Sequence, residues 1–127
     1  MRALLLLAIL LTMAVSPAGA VCTLRDEGKC LSEAEQGRCL IEVGGKKYLD
    51  GRCNIEISSD GSFSVGTGDR GRASRFFAYV NKNEDGTAEG SWNGIHAGSH
   101  AHDSLGTLKE EGSACWVNST AKVCAWR

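Results

Sequence analysis

The chain has 127 residues, with 14 basic against 15 acidic side chains for a net charge of −1, 16 glycines, one proline and six cysteines. That near balance, with no block of like charge, excludes a dedicated nucleic-acid binder that works by neutralising phosphates. The length allows one domain of limited core volume, for which cross-links supply part of the restraint.

Residues 1–20 have the layout of a cleaved export signal. Arg2 precedes an apolar run from Ala3 to Val15, shorter than the roughly 20 residues that span a bilayer. Ala18-Gly19-Ala20 then offers the small residues a signal peptidase requires. The expected cut precedes Val21, leaving no retained transmembrane segment and a single domain over residues 21–127. Loss of Arg2 takes the net charge from −1 to about −2. The competing route, a lipoprotein acylated on Cys22, would have the branched Val21 where a small residue is expected. All six cysteines (Cys22, Cys30, Cys39, Cys53, Cys115 and Cys124) follow the cut. An even count in an exported chain reads as three disulfides, and no CxxC pair favours a metal site instead.

Between Cys30 and Cys39, Ser32 with Glu35 three residues on has the spelling of a helix cap, so one helical turn is expected over Ser32 to Gln36. From Cys39 the pattern alternates, and Gly44-Gly45 supplies a two-residue hairpin turn. Pairing Val43 with Lys46 sets Ile41 opposite Tyr48 and Cys39 opposite Asp50, with a bend at Asp50-Gly51 to bring Cys53 to Cys39. A second hairpin turns at Ser59-Asp60-Gly61. A three-residue loop there pairs Ile57 with Phe63 and Ile55 with Val65, whereas a two-residue turn would break that match. Gly66 to Ser74 reads as a loop rich in glycine and arginine. Arg75 to Val80 and Thr87 to Asn93 read as strands around the polar tip Asn81 to Gly86. Gly94 to Gly106 is ambiguous, and Leu105 and Leu108 are candidates to close the core. In the tail, Cys115-Trp116-Val117 and Ala121 to Cys124 face each other across Ser119-Thr120, with Cys115 opposite Cys124 and Trp116 beside Val123. The economical connectivity is 22 to 30, 39 to 53 and 115 to 124. Trp116 and Trp126 share a side in an extended count, which leaves either core or surface open to them. The fold class is therefore mostly β, a small antiparallel hairpin-rich sheet or barrel-like domain with up to three disulfides.

Several patterns bear on chemistry. His96, His100 and His102, with Asp103 beside them, have residue types that suit zinc or copper, against the alternative of a solvated polar loop. Asn81-x-Asn83-x-Asp85-Gly86 spells half a calcium loop, but Trp92 stands where a bidentate glutamate belongs. Gly66-x-Gly68-x-x-Gly71 has dinucleotide spacing without the helix that would receive a pyrophosphate. Asn118-Ser-Thr120 is a glycosylation acceptor by spelling. No nucleophile has a base at a motif spacing, so an enzyme is not expected and no cofactor is implied. A carboxylate pair assembled by folding is the remaining enzymatic alternative.

Cys39-Leu-Ile-Glu-Val-Gly-Gly-Lys-Lys-Tyr48, Gly51-Arg-Cys53, Phe76-Phe-Ala-Tyr79, Trp92-Asn-Gly94, Cys115-Trp-Val-Asn118 and Val123-Cys-Ala-Trp126 together resemble small periplasmic disulfide-containing proteins of Gram-negative alphaproteobacteria. The likeness is to the Brucella-type group for which inhibition of lysozyme or another peptidoglycan hydrolase has been proposed, and covers most of residues 22–127. The Ser-Gly-x-x-Tyr loop of the better-known c-type lysozyme inhibitors is absent. The resemblance implies a periplasmic or secreted protein-binding module whose partner is a lysozyme or peptidoglycan hydrolase. Such enzymes hold acidic residues in the cleft, which Arg70, Arg72 and Arg75 would meet as the partner-binding residues. The alternatives are an envelope structural or stress protein contacting cell-wall glycan, and a histidine-cluster metal protein or enzyme.

Overall fold

The computed structural model describes residues 19–68 and 74–127. Nine strands follow in chain order: β1 (Val21–Asp26), β2 (Lys29–Val43), β3 (Lys46–Ser58), β4 (Phe63–Val65), β5 (Ala78–Lys82), β6 (Ala88–Trp92), β7 (Asp103–Glu111), β8 (Cys115–Val117) and β9 (Ala121–Trp126). Each pairs antiparallel with the next, and β2 also pairs with β9, closing an eight-stranded barrel to which β1 is added outside. The closure sets Ile41 against Val123 and Arg38 against Trp126. Beyond Trp126 the same edge of β2 is taken over by β1, where Val21 faces Ala34.

The two-residue periodicity of the strands decides what faces inward. Ile41, Ile55, Val65, Val80, Leu108 and Val123 are fully buried in one continuous core. Small barrels fill their interior by setting small residues against large ones, and here Ala78, Ala88 and Gly90 make room for the bulkier side chains. A Cβ on Gly90 would come within 2.7 Å of Leu108 Cδ1 and 3.0 Å of Leu105 Cβ. A second, smaller cluster lies on the outer face, where Leu40 packs with the Cys115–Cys124 bridge, Val117 and Trp126. Trp116 belongs to the inner core and Trp126 to the outer cluster, so the two do not share a side.

All three disulfides join the pairs of the economical connectivity, Cys39–Cys53 and Cys115–Cys124 on the expected hairpins and Cys22–Cys30 on a β1–β2 hairpin that was not expected. Cys115 and Cys124 are direct cross-strand partners with Cα atoms 4.1 Å apart. The Ser59–Gly61 hairpin adopts the three-residue register, with Ile57 opposite Phe63 and Ile55 opposite Val65. Gly44 and Gly45 both have positive φ, 59° and 79°, as the tight turn between β2 and β3 demands.

Other expectations need correction. Ser32 to Gln36 is not a helical turn but the middle of β2, because its polar groups are claimed by partners far along the chain. The Ser32 hydroxyl donates to Glu56 at 2.9 Å, and Glu35 is ion-paired to Arg127. In the β2–β3 hairpin the register slips by one between Ile41 and Glu42, so Ile41 faces Leu49 and Cys39 faces Gly51. The extra residue, Tyr48, is a bulge that sends its ring to one end of the barrel. The strand expected from Arg75 begins only at Ala78, and the ambiguous stretch resolves into a loop followed by β7 from Asp103.

Candidate functional site

In an up-and-down barrel, alternate connections gather at opposite ends. One end, here called the rim, carries the Gly44-Gly45 turn, the connection between β4 and β5, the connection between β6 and β7, and the turn before β9. The core is plugged there by three rings: Tyr48 meets Trp92 edge-on at 4.7 Å and Phe76 at 5.1 Å. Two cations lie over the plug, Lys46 at 5.0 Å from the Tyr48 ring and Arg75 at 5.5 Å from the Phe76 ring. The contact is attractive because the ring face carries partial negative charge. The opposite end carries Asp60, Glu84 and Asp85 in its hairpin turns.

Asn93 holds the rim loops together. It is 5 % exposed, and its side-chain Oδ1 accepts from the Phe77 N–H while Nδ2 donates to the carbonyls of Arg75 and Gly98. Its own backbone N–H donates to Phe77 O, and its carbonyl accepts from Gly98 N. One side chain therefore satisfies backbone groups of both long rim loops, groups whose burial without a partner would be costly. The segment between β4 and β5 also starts and ends together, since Ser74 N donates to Gly66 O at 3.1 Å. Of the expected partner-binding arginines, Arg75 stands at this rim, whereas Arg70 and Arg72 lie outside the described residues, as does Gly71 of the glycine motif.

The three histidines all lie in the β6–β7 connection or its end, exposed to solvent. His100 and His102 approach each other, with ring centroids 5.3 Å apart, and Ser99 Oγ lies 2.9 Å from His100 Nδ1. Among the described residues no group of three or more His, Cys, Asp or Glu side chains is arranged to hold a metal, so His96 does not complete a site with the other two. Asn83, Asp85 and Thr87 form a tight turn. The Thr87 hydroxyl and N–H both donate to Asp85, holding its carboxyl below the usual carboxylate range. The Asn118 amide nitrogen donates to the carbonyls of Leu105 and Thr107, so the atom that a glycan would occupy instead ties the last turn to β7.

A second feature lies on the flank of the barrel. An open groove of about 700 Å³ runs over β2 and β3 between β1 and the Thr67-Gly68 turn. Its floor is the outward half of the alternation: Gln36 faces Asn54 and Ala34 faces Glu56 across the strands, with Arg52 two residues further along β3. Sequence reasoning missed this groove and missed Asn93. The pointer available for the groove was the polar series Arg52, Asn54, Glu56 interleaved with Cys53, Ile55 and Ile57.

The fold and its two surfaces define a class: a closed, disulfide-stapled antiparallel barrel with a basic, loop-bearing rim and a polar groove on its flank. Neither a family model, nor a curated protein, nor a solved structure matches the chain.

Proposed function

We propose that the chain is a periplasmic or secreted protein-binding module that inhibits a lysozyme or another peptidoglycan hydrolase by presenting its basic rim to the enzyme's acidic cleft. The carrying observation is that Lys46 and Arg75 each lie over a ring of one aromatic plug, at the end of the barrel where the residues flanking the Arg70–Arg72 segment, Gly66 and Ser74, are joined. Glycoside hydrolases of this kind work with a pair of carboxyl groups flanking the scissile bond. Arginine offers such groups several donors in a fixed fork. A rim charged opposite to the cleft also speeds encounter and fixes the docking direction, even in a chain whose net charge is close to zero. Three disulfides and the start of β1 at Val21, the residue after the expected cut, fit an oxidising compartment outside the cytoplasm. Among the described residues no helix is long and apolar enough to cross a membrane.

The test is inhibition by purified, oxidised protein of c-type, g-type and i-type lysozymes and of a lytic transglycosylase. At least one of these is inhibited, with an affinity that falls as salt rises. Replacing Arg70, Arg72 and Arg75 together by Gln weakens inhibition by at least tenfold, about 1.4 kcal/mol, while thermal unfolding is unchanged. Absence of inhibition of all four enzymes by the folded protein, or full inhibition by the triple variant, overturns the reading.

A further inference from the structure

We propose that the flank groove is a binding site for a short zwitterionic peptide laid along β3, with its terminal carboxylate at Arg52 and its ammonium group at Glu56. The site is separate from the rim and independent of the hydrolase reading. Three side chains at alternate positions of one strand carry it.

At one end stands Arg52. Its cross-strand neighbour is another cation, Arg38, and the nearest acid on its own strand, Asp50, is already shared between Arg38 at 3.0 Å and Lys47 at 3.7 Å. Arg52 has no ion-pair partner among the described residues, and a guanidinium in that position calls for a carboxylate. At the other end, Glu56 is held in place through one oxygen only: Oε1 accepts from the hydroxyls of Thr23 at 3.1 Å and Ser32 at 2.9 Å. Oε2 has no donor among the described residues and points the demand toward a cation. The second acid of the lining, Glu35, is neutralised by Arg127.

Between the two charges lies Asn54, 8 % exposed and fixed by donation from its Nδ2 to Thr67 O at 3.0 Å. Its Oδ1 receives no hydrogen bond among the described residues. Asn54 itself is among the residues that line the groove. An ordered acceptor between a carboxylate and a guanidinium fits a peptide N–H. The spacing fits as well: Glu56 lies four residue steps along the strand from Arg52, about 13 Å, which an extended chain covers in three to four residues. None of the lining residues is aromatic; without a ring to stack on, a sugar would forgo much of its usual contact. Gly19, which lies ahead of the expected cut, forms part of the lining in the full chain, whose groove volume lies in the range of roughly 300–1,000 Å³ common to small-ligand sites.

The experiment follows amide chemical shifts and titration heats of the oxidised protein with four probes: trialanine, its N-acetyl form, its C-terminal amide, and chitotriose. Trialanine gives saturable shifts centred on Arg52, Asn54 and Glu56, and each blocked form binds about tenfold more weakly, the loss of one charge-assisted contact. Arg52→Gln weakens trialanine about tenfold but leaves the amide's affinity as it was, since both changes remove the same contact. Glu56→Gln does the same toward the N-acetyl form. Arg52 is exposed and its side chain makes no hydrogen bond or ion pair among the described residues, and the blocked peptides test both poles without altering the protein, so a poorly folded variant would not obscure the answer. No saturable shift at millimolar trialanine overturns the proposal, as does equal affinity for free and blocked peptides, or preferential binding of chitotriose.

Discussion

Asn93 shows how much one side chain can organise. Both long rim loops depend on its carboxamide, which uses its acceptor and both donors on backbone groups. Asn93→Ala leaves those groups unpaired and should destabilise the domain by about 3 kcal/mol. Hydrogen exchange checks where the loss falls: the Phe77 and Gly98 amides should lose protection before those of β2 and β3. Asn93→Asp should be no milder, because an acceptor would then face the carbonyls of Arg75 and Gly98. None of this was legible in the sequence, where Asn93 follows Trp92 as one more polar residue before a glycine. The pairings of Cys39 with Cys53 and of Cys115 with Cys124 were legible, because each bridge joins the two strands of one hairpin marked by its turn residues, and Cys22 with Cys30 followed as the pair left over. Ser32 and Glu35 misled for the complementary reason. Their spacing is that of a helix cap, but Ser32 bonds Glu56 and Glu35 bonds Arg127, partners a local pattern does not contain.

At the scale of the element, β2 does two jobs. Its second half closes the barrel against β9, and its first half carries β1. Gly37 marks the change of partner. A Cβ there would overlap the Trp126 carbonyl and come within 2.6 Å of Ile55 Cδ1, so no side chain fits without moving backbone. Gly37→Ala should cost about 3 kcal/mol, at the upper end for an added methyl in a packed site. The Trp126 and Arg127 amide resonances should shift most, and a thermal scan gives the total. Unchanged stability would mean that β9 does not pass β2 this closely. The β2–β3, β3–β4, β5–β6 and β8–β9 hairpins could be read from alternation and turn residues, whereas β7 could not. The bulge at Tyr48 could not, although it is what delivers the Tyr48 ring to the rim plug, since the residues on either side alternate equally well without it.

For the whole molecule, closure was the step beyond reach of the sequence. Ile41 meets Val123 only because seven successive hairpin pairings bring β9 back to β2, and no short-range signal encodes the last of them. The bridges then divide by exposure. Cys39 and Cys53 are buried in the barrel interior, Cys115 and Cys124 are buried on its outer face, and Cys22 and Cys30 are partly open to solvent. Mild reductant under native conditions should therefore open Cys22–Cys30 first, and Cys39–Cys53 only on global unfolding. Timed alkylation with peptide mapping reads the order directly. Loss of the Cys39–Cys53 bridge, which closes a loop of 14 residues, should cost about 3 kcal/mol by the chain-entropy estimate.

The hand-over on β2 also fixes where the polypeptide enters and leaves the domain. Val21 pairs with Ala34 and Trp126 with Arg38, so the first strand begins beside the point where the last one ends, several strand residues below the Gly44-Gly45 turn. Any tether, tag or fused domain added at either side would depart from a single spot on the flank. That spot borders the flank groove, where Gly19 and Val21 share a lining with Thr67 and Gly68, so whatever is attached there would stand beside the groove's mouth.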